Sequence, residues 1–187
     1  EAVNSESINN PWAHKRLRED VGDPRITVGL DVTNMVFSNT AFRMTELIDT
    51  TFDLLADQIA YVHAKDFSWN SMMPGLNWAM IGTGNMDYET FLARVSRLKR
   101  PTNMLVEFLT TNEEYQQAQR NIRSIAQNIG VEAEARGAGE QFVFRIKREQ
   151  FRSDVGLLAI GAGGDEEANE GFYVPAGAHE FAGEPVE

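Results

Sequence analysis

The stretch "IAYVHAKD", residues 59–66, starts as a buried strand and ends in an imidazole, an ammonium and a carboxylate. Ile59, Ala60, Tyr61 and Val62 form an apolar run of strand length. Strand alternation sets Tyr61, His63 and Lys65 on one face and Ala60, Val62 and Ala64 on the other. Two further runs follow the same plan. In "RITVGLDV" (25–32), Thr27, Gly29 and Asp31 oppose Ile26, Val28 and Leu30. In "NMLVEFL" (103–109), Leu105, Glu107 and Leu109 oppose Met104, Val106 and Phe108. Each run offers one apolar face for helices to cover. Each also carries a metal-capable side chain near its C-terminal end.

Helical patterns separate the runs. Residues 40–57 repeat Phe42, Leu47, Ile48, Phe52 and Leu55 at helical spacing. Residues 87–101 give a stripe of Tyr88, Phe91, Leu92, Val95 and Leu98, with Asp87 as N-cap and Pro101 beyond the end. Residues 111–130 open with Thr111 and Glu114 at capping-box spacing, and Gly130 suits a left-handed C-terminal position. Residues 10–22 form a shorter helix with Pro11 in its first turn. With residues 1–3 as the end of another strand, the order is βαβαβαβα. Such alternation implies a parallel sheet with helices outside, either doubly wound or a (β/α) barrel. No glycine-rich phosphate loop follows any strand; "GTGN" (82–85) precedes a helix and reads as a turn.

The chain has 187 residues, 42% of them hydrophobic, enough for a substantial core. Its formal net charge of -11 argues against a nucleic-acid partner or an anionic membrane surface. The absence of cysteine excludes disulfides, thiolate zinc sites and cysteine nucleophiles. No apolar run approaches the roughly 18 residues of a membrane span, and no signal peptide is visible, so a cytoplasmic location is expected. The opening "EAVNSES" reads as a start inside a larger protein. Residues 132–187 hold 12 of the 28 acidic residues but only 5 of the 17 basic ones, and 9 of the 15 glycines. That shift sets a boundary near residues 130–139, with an acidic, glycine-rich extension beyond it. Within the extension, "QFVFRIKREQF" (141–151) alternates like a strand.

A lone Asp at a strand end is usually a cap, and a lone strand His is usually a hydrogen-bonded core residue. A Glu in an apolar run is costly unless it is paired. Asp31, His63 and Glu107 together at equivalent strand ends are different: by sharing a divalent cation they offset one another's burial. Their mixed oxygen and nitrogen donors suit Mn²⁺, Mg²⁺, Co²⁺ or Zn²⁺.

The segments "GLDVTNM", "HAKD", "IGTGNMDYETFL", "MLVEFL" and "NEEYQQAQRNIRSIA" resemble the C-terminal half of the sugar phosphate isomerase/epimerase family, the xylose isomerase-like TIM barrels. The resemblance covers residues 1–131 and implies the last four βα units of a barrel, with 132–187 as an extension. It implies one divalent metal held by Glu1, Asp31, His63 and Glu107, with Glu6 as the fallback for the first ligand. It also implies proton removal beside a carbonyl and proton return by Glu1 and Glu107, through a metal-stabilised enediolate. The substrate would be a sugar, sugar phosphate or keto-sugar. A missing half-barrel or a second copy is the expected partner, because half a barrel leaves open edges.

Around these ligands, Lys65 is placed to bind a substrate phosphate or carboxylate, and Asn34 to reach the substrate region. Asp66 is expected to cap the following loop. The segment 67–86 is long for a βα loop and carries Trp69 and Trp78, candidates to stack on a sugar ring. His14 and His179 have no strand-end context and receive no role. Three rival readings stand beside this one. The first is a metal-dependent lyase or dehydratase on a keto-sugar or cyclic polyol. The second is a multinuclear zinc nuclease like endonuclease IV, disfavoured by Asn34 and the net charge. The third is an inactive barrel fragment that needs a partner.

Overall fold

A computed structural model describes residues 7–69, 75–100, 102–136 and 143–148. The chain divides into two units, Glu1–Phe151 and Arg152–Glu187, the second lying outside the described residues. The first unit holds four helices: α1 (Pro11–Val21), α2 (Met44–Leu55), α3 (Tyr88–Ser96) and α4 (Asn112–Asn128). Its strands are β1 (Val28–Leu30), β2 (Ile59–Ala64), β3 (Asp66–Trp69), β4 (Leu76–Ala79), β5 (Thr102–Val106), β6 (Val131–Arg136) and β7 (Val143–Arg148).

Three of the four helices start where the sequence offers a cap; α2, with Arg43 before it, has no side-chain cap. Asn10 accepts from the Ala13 N–H at 2.9 Å, ahead of Pro11. Asp87 accepts from the Thr90 N–H at the head of α3. Thr111 and Glu114 close a reciprocal capping box on α4. Gly130, at φ 65°, takes the left-handed conformation that ends α4 and turns the chain into β6. Helix α2 begins at Met44, later than the periodicity suggests. Phe42 lies before it and is 68% exposed, while Leu47, Ile48, Phe52 and Leu55 are buried.

The main sheet has the order β1-β2-β5-β7-β6. β1, β2 and β5 are parallel, as the alternation of strands and helices requires. β7 then pairs with β5 in antiparallel register, Met104 opposite Phe144, and β6 pairs antiparallel to β7. The sheet is therefore mixed. The strand expected at 141–151 exists as β7, and its neighbour in the sheet is β5.

The core lies on one face of this sheet. Val28, Leu30, Val62, Ala64, Met104, Val106, Phe144 and Ile146 form one buried cluster with the apolar stripes of α2, α3 and α4. Burying a side chain such as Phe144 or Ile146 contributes roughly 1.5–3 kcal/mol, so β7 is anchored by the same core as the parallel strands. The other face is open among the described residues: Tyr61 is 37% exposed, Asn103 is exposed and Leu105 half-buried. Among the described residues, the helices cover the one apolar face that each strand offers. Gly29 sits opposite Tyr61 on the open face. A Cβ at position 29 would come within 2.4 Å of the Tyr61 ring, so glycine is what lets that ring lie across β1.

The long loop of residues 67–86 is not structureless. Its described part contains a hairpin, with β3 antiparallel to β4 and Phe67 opposite Trp78. "DFSW" and "LNWA" are only four residues each, too short for a period-two pattern to stand out in the sequence.

Candidate metal centre

The parallel register brings the three strand-end residues together. Gly29 pairs with Tyr61 and His63 with Leu105. Two residues further along, Asp31 comes level with His63, and Glu107 with Lys65. The Glu107 N–H donates to the Ala64 carbonyl at 3.1 Å, which ties the end of β5 to the end of β2. One donor atom each from Asp31, His63 and Glu107 lies within 4.8 Å of the others. Asp31 is fully buried, His63 is 8% exposed and the Glu107 side chain 32% exposed. His63 Nδ1 is 2.9 Å from Glu107 Oε1 and 3.7 Å from Asp31 Oδ2. Glu1 and Glu6 lie outside the described residues.

Lys65 sits inside this cluster and is only 4% exposed. Its Nζ is 2.5 Å from Asp31 Oδ2, 3.0 Å from Glu107 Oε2 and 3.2 Å from Asn34 Oδ1. Burial works against the ammonium, but the two carboxylates outweigh it and raise its pKa above the ordinary lysine value. Burial likewise pushes the Asp31 carboxyl upward, opposed by Lys65 and by the Asn34 N–H that donates to Asp31 Oδ1 at 3.2 Å. The Lys65 backbone is held as well. Its carbonyl accepts from the Tyr88 hydroxyl at 2.9 Å and the Thr33 hydroxyl at 3.5 Å, both on buried residues. Lysine at a strand end is usually solvated; here the neighbouring carboxylates draw it inward.

Asp66, expected as a cap, organises the loop that follows it. Its carboxylate accepts from the backbone N–H groups of Phe67, Gly82, Gly84 and Met86, at 2.8–3.0 Å. The two glycine amides of "GTGN" are thus turned onto a protein carboxylate, while those of Thr83 and Asn85 donate to the Met80 and Phe67 carbonyls. Gly84 is required because a Cβ there would come within 2.3 Å of both Asp66 Oδ1 and the Phe67 carbonyl.

The two tryptophans diverge. Trp69 packs against the core and donates its backbone N–H to Asn85 Oδ1 at 2.9 Å. Trp78 is 47% exposed and stacks on Phe108, with ring centroids 4.0 Å apart. Phe108 was expected on the helix-facing side of its strand. Instead β5 ends at Val106, and Phe108 adopts φ 59°, the left-handed region that a bulky L-residue rarely enters. That reversal breaks the alternation and leaves the Phe108 ring 53% exposed, 4.5 Å from Lys65 Nζ. Trp78 lies 5.8 Å from the same atom. Phe108 is a residue that strand alternation alone misplaces. His14 is buried on α1, and His179 lies outside the described residues.

The donor set suits a divalent cation chemically: two carboxylates and an imidazole at one strand-end mouth. With His63 neutral, Asp31, Glu107 and Lys65 leave the cluster one negative charge, which favours a further cation.

No protein-family model matches the chain, and no curated protein matches it. Among solved structures, a xylose isomerase domain protein from Planctomyces limnophilus is similar at 17% identity, with a TM-score of 0.47. The likeness covers 64% of this chain and 44% of that one, so this chain spans less than half of that protein. At that score it decides neither fold nor reaction, and the side chains at the strand ends carry the functional reading.

Proposed function

We propose that this chain carries the metal site of a sugar isomerase or epimerase that works by proton transfer beside a carbonyl. The observation that supports it is the convergence of Asp31, His63 and Glu107 within 4.8 Å at the ends of three adjacent parallel strands. Asp31, His63 and Glu107 would hold one Mn²⁺, Mg²⁺, Co²⁺ or Zn²⁺, with Glu1 as the fourth ligand implied by the family resemblance. A divalent ion supplies Lewis-acid stabilisation of negative charge on substrate oxygens.

The protein's own groups divide the remaining work. Glu107 is the carboxylate of the cluster with solvent access, so it is the one placed to take a proton from a substrate carbon. Glu1 is the proposed partner that returns a proton. Asn34 and Lys65 present an amide and an ammonium that hold substrate oxygens, and the stacked Trp78 and Phe108 shield one side from water. A second half-barrel or a second copy is the proposed cover of the open sheet face that bears Tyr61.

The test is turnover of keto-sugars in deuterated water with added Mn²⁺. Deuterium incorporation at carbon without loss of water is expected, and Glu107→Gln should slow it by about 10²-fold or more. Near-normal turnover in that variant would contradict the assignment of Glu107. An unsaturated product would move the reading to a lyase.

A further inference from the structure

We propose that Lys65 is a built-in competitor for the metal: its ammonium neutralises Asp31 and Glu107, and a divalent cation binds by exchange with it. This rests on the reading of Asp31, His63 and Glu107 as metal ligands.

The ammonium holds the same two carboxylates that a metal would use. It contacts Asp31 Oδ2 at 2.5 Å and Glu107 Oε2 at 3.0 Å, with Asn34 Oδ1 as its third partner at 3.2 Å. A divalent ion drawing on those carboxylates would lie close to a buried positive charge, and at low local dielectric the two cations repel strongly. The carboxylates therefore choose between them. Without Lys65, the described cluster would carry two negative charges in place of one, a stronger attraction for the ion.

The surroundings give the ammonium a further hold where it stands. The lysine backbone is fixed by Tyr88 and Thr33, so exchange is a movement of its flexible four-carbon stem. Phe108 presents its ring face 4.5 Å from Nζ, stacked on Trp78 and half open to solvent. Aromatic faces attract ammonium groups through their quadrupole. Phe108 holds this position only by taking a left-handed backbone, a conformation that costs energy and concentrates at functional sites. The stack thus stabilises Lys65 in the position where it opposes the metal.

The experiment is Mn²⁺ binding by calorimetry at fixed pH and salt, on the full chain and its Lys65→Met, Phe108→Ala and Asp31→Asn variants, with circular dichroism to establish folding. Lys65→Met should bind Mn²⁺ at least about tenfold tighter than the parent. Phe108→Ala should bind about threefold tighter, because its competing ammonium loses one aromatic face. Equal or weaker binding by folded Lys65→Met overturns the competition. Should that variant be unfolded without metal, Phe108→Ala decides: tighter binding supports the exchange, and unchanged or weaker binding overturns it. Absence of Mn²⁺ binding in parent and variants alike, or undiminished binding by Asp31→Asn, overturns the metal reading itself.

Discussion

Asp31 and Asp66 are both buried carboxylates beside the end of β2, and they are satisfied in opposite ways. Asp66 accepts from four backbone N–H groups of its own and the following loop. Asp31 has one backbone N–H, from Asn34, and otherwise faces the Lys65 ammonium and the His63 ring. Backbone donors cannot leave without unfolding the loop, so Asp66 is structural. An ammonium on a flexible stem can be exchanged for another cation, so Asp31 is available for chemistry. Side chains of one type, both near zero exposure, take different roles according to whether their counter-groups are fixed or mobile.

Removing each carboxylate should separate the two roles. Asp66→Ala leaves four donors unpaired. The N–H groups of Phe67 and Met86 belong to buried residues, while Gly82 is exposed and Gly84 partly so. Two donors that stay unpaired cost about 3 kcal/mol together, measurable by urea denaturation, and added Mn²⁺ should not restore that loss. Asp31→Asn should cost less, about 1–2 kcal/mol, because Lys65 keeps Glu107 and Asn34 and the amide oxygen still accepts from the Asn34 N–H. A larger loss at Asp31 than at Asp66 would reverse the comparison.

A third carboxylate calibrates the scale. Asp87 accepts from the Thr90 N–H and, at 2.6 Å, from the Thr45 hydroxyl of α2. Partial burial pushes its pKa up, but these hydrogen bonds outweigh it and hold the group below its ordinary value of 3.8. Its stabilising effect is therefore complete above that value and is lost as pH falls through the lower folded-state pKa. Asp87→Ala should cost about 1 kcal/mol near neutral pH. The difference from the parent in thermal melts should shrink below about pH 4. A difference that grows on acidification would contradict this assignment.

Much of this arrangement was legible in the sequence because it depends on local signals. The four helices followed from periodicity and caps such as Asp87 and the Thr111–Glu114 box. Parallel register then carried Asp31, His63 and Glu107 together without further information, since each lies near the end of a strand. Three features were not legible, each for a non-local reason. The pairing of β7 with β5 depends on contacts across about forty residues of chain. The β3–β4 hairpin is made of two four-residue strands, too short to read without their pairing. The reversal at Phe108 is a backbone choice supported by a ring on another strand, and it defeats any rule that assigns faces by counting twos.

The most direct test of the account is the stoichiometry and affinity of Mn²⁺ for the folded chain, compared among the parent, Asp31→Asn, His63→Ala and Glu107→Gln. The account predicts one ion bound per chain and a loss of affinity of about 10²-fold or more in each variant, since each removes one donor from a single ion. Equal affinity in all four, or no ion bound by the folded parent, would contradict it.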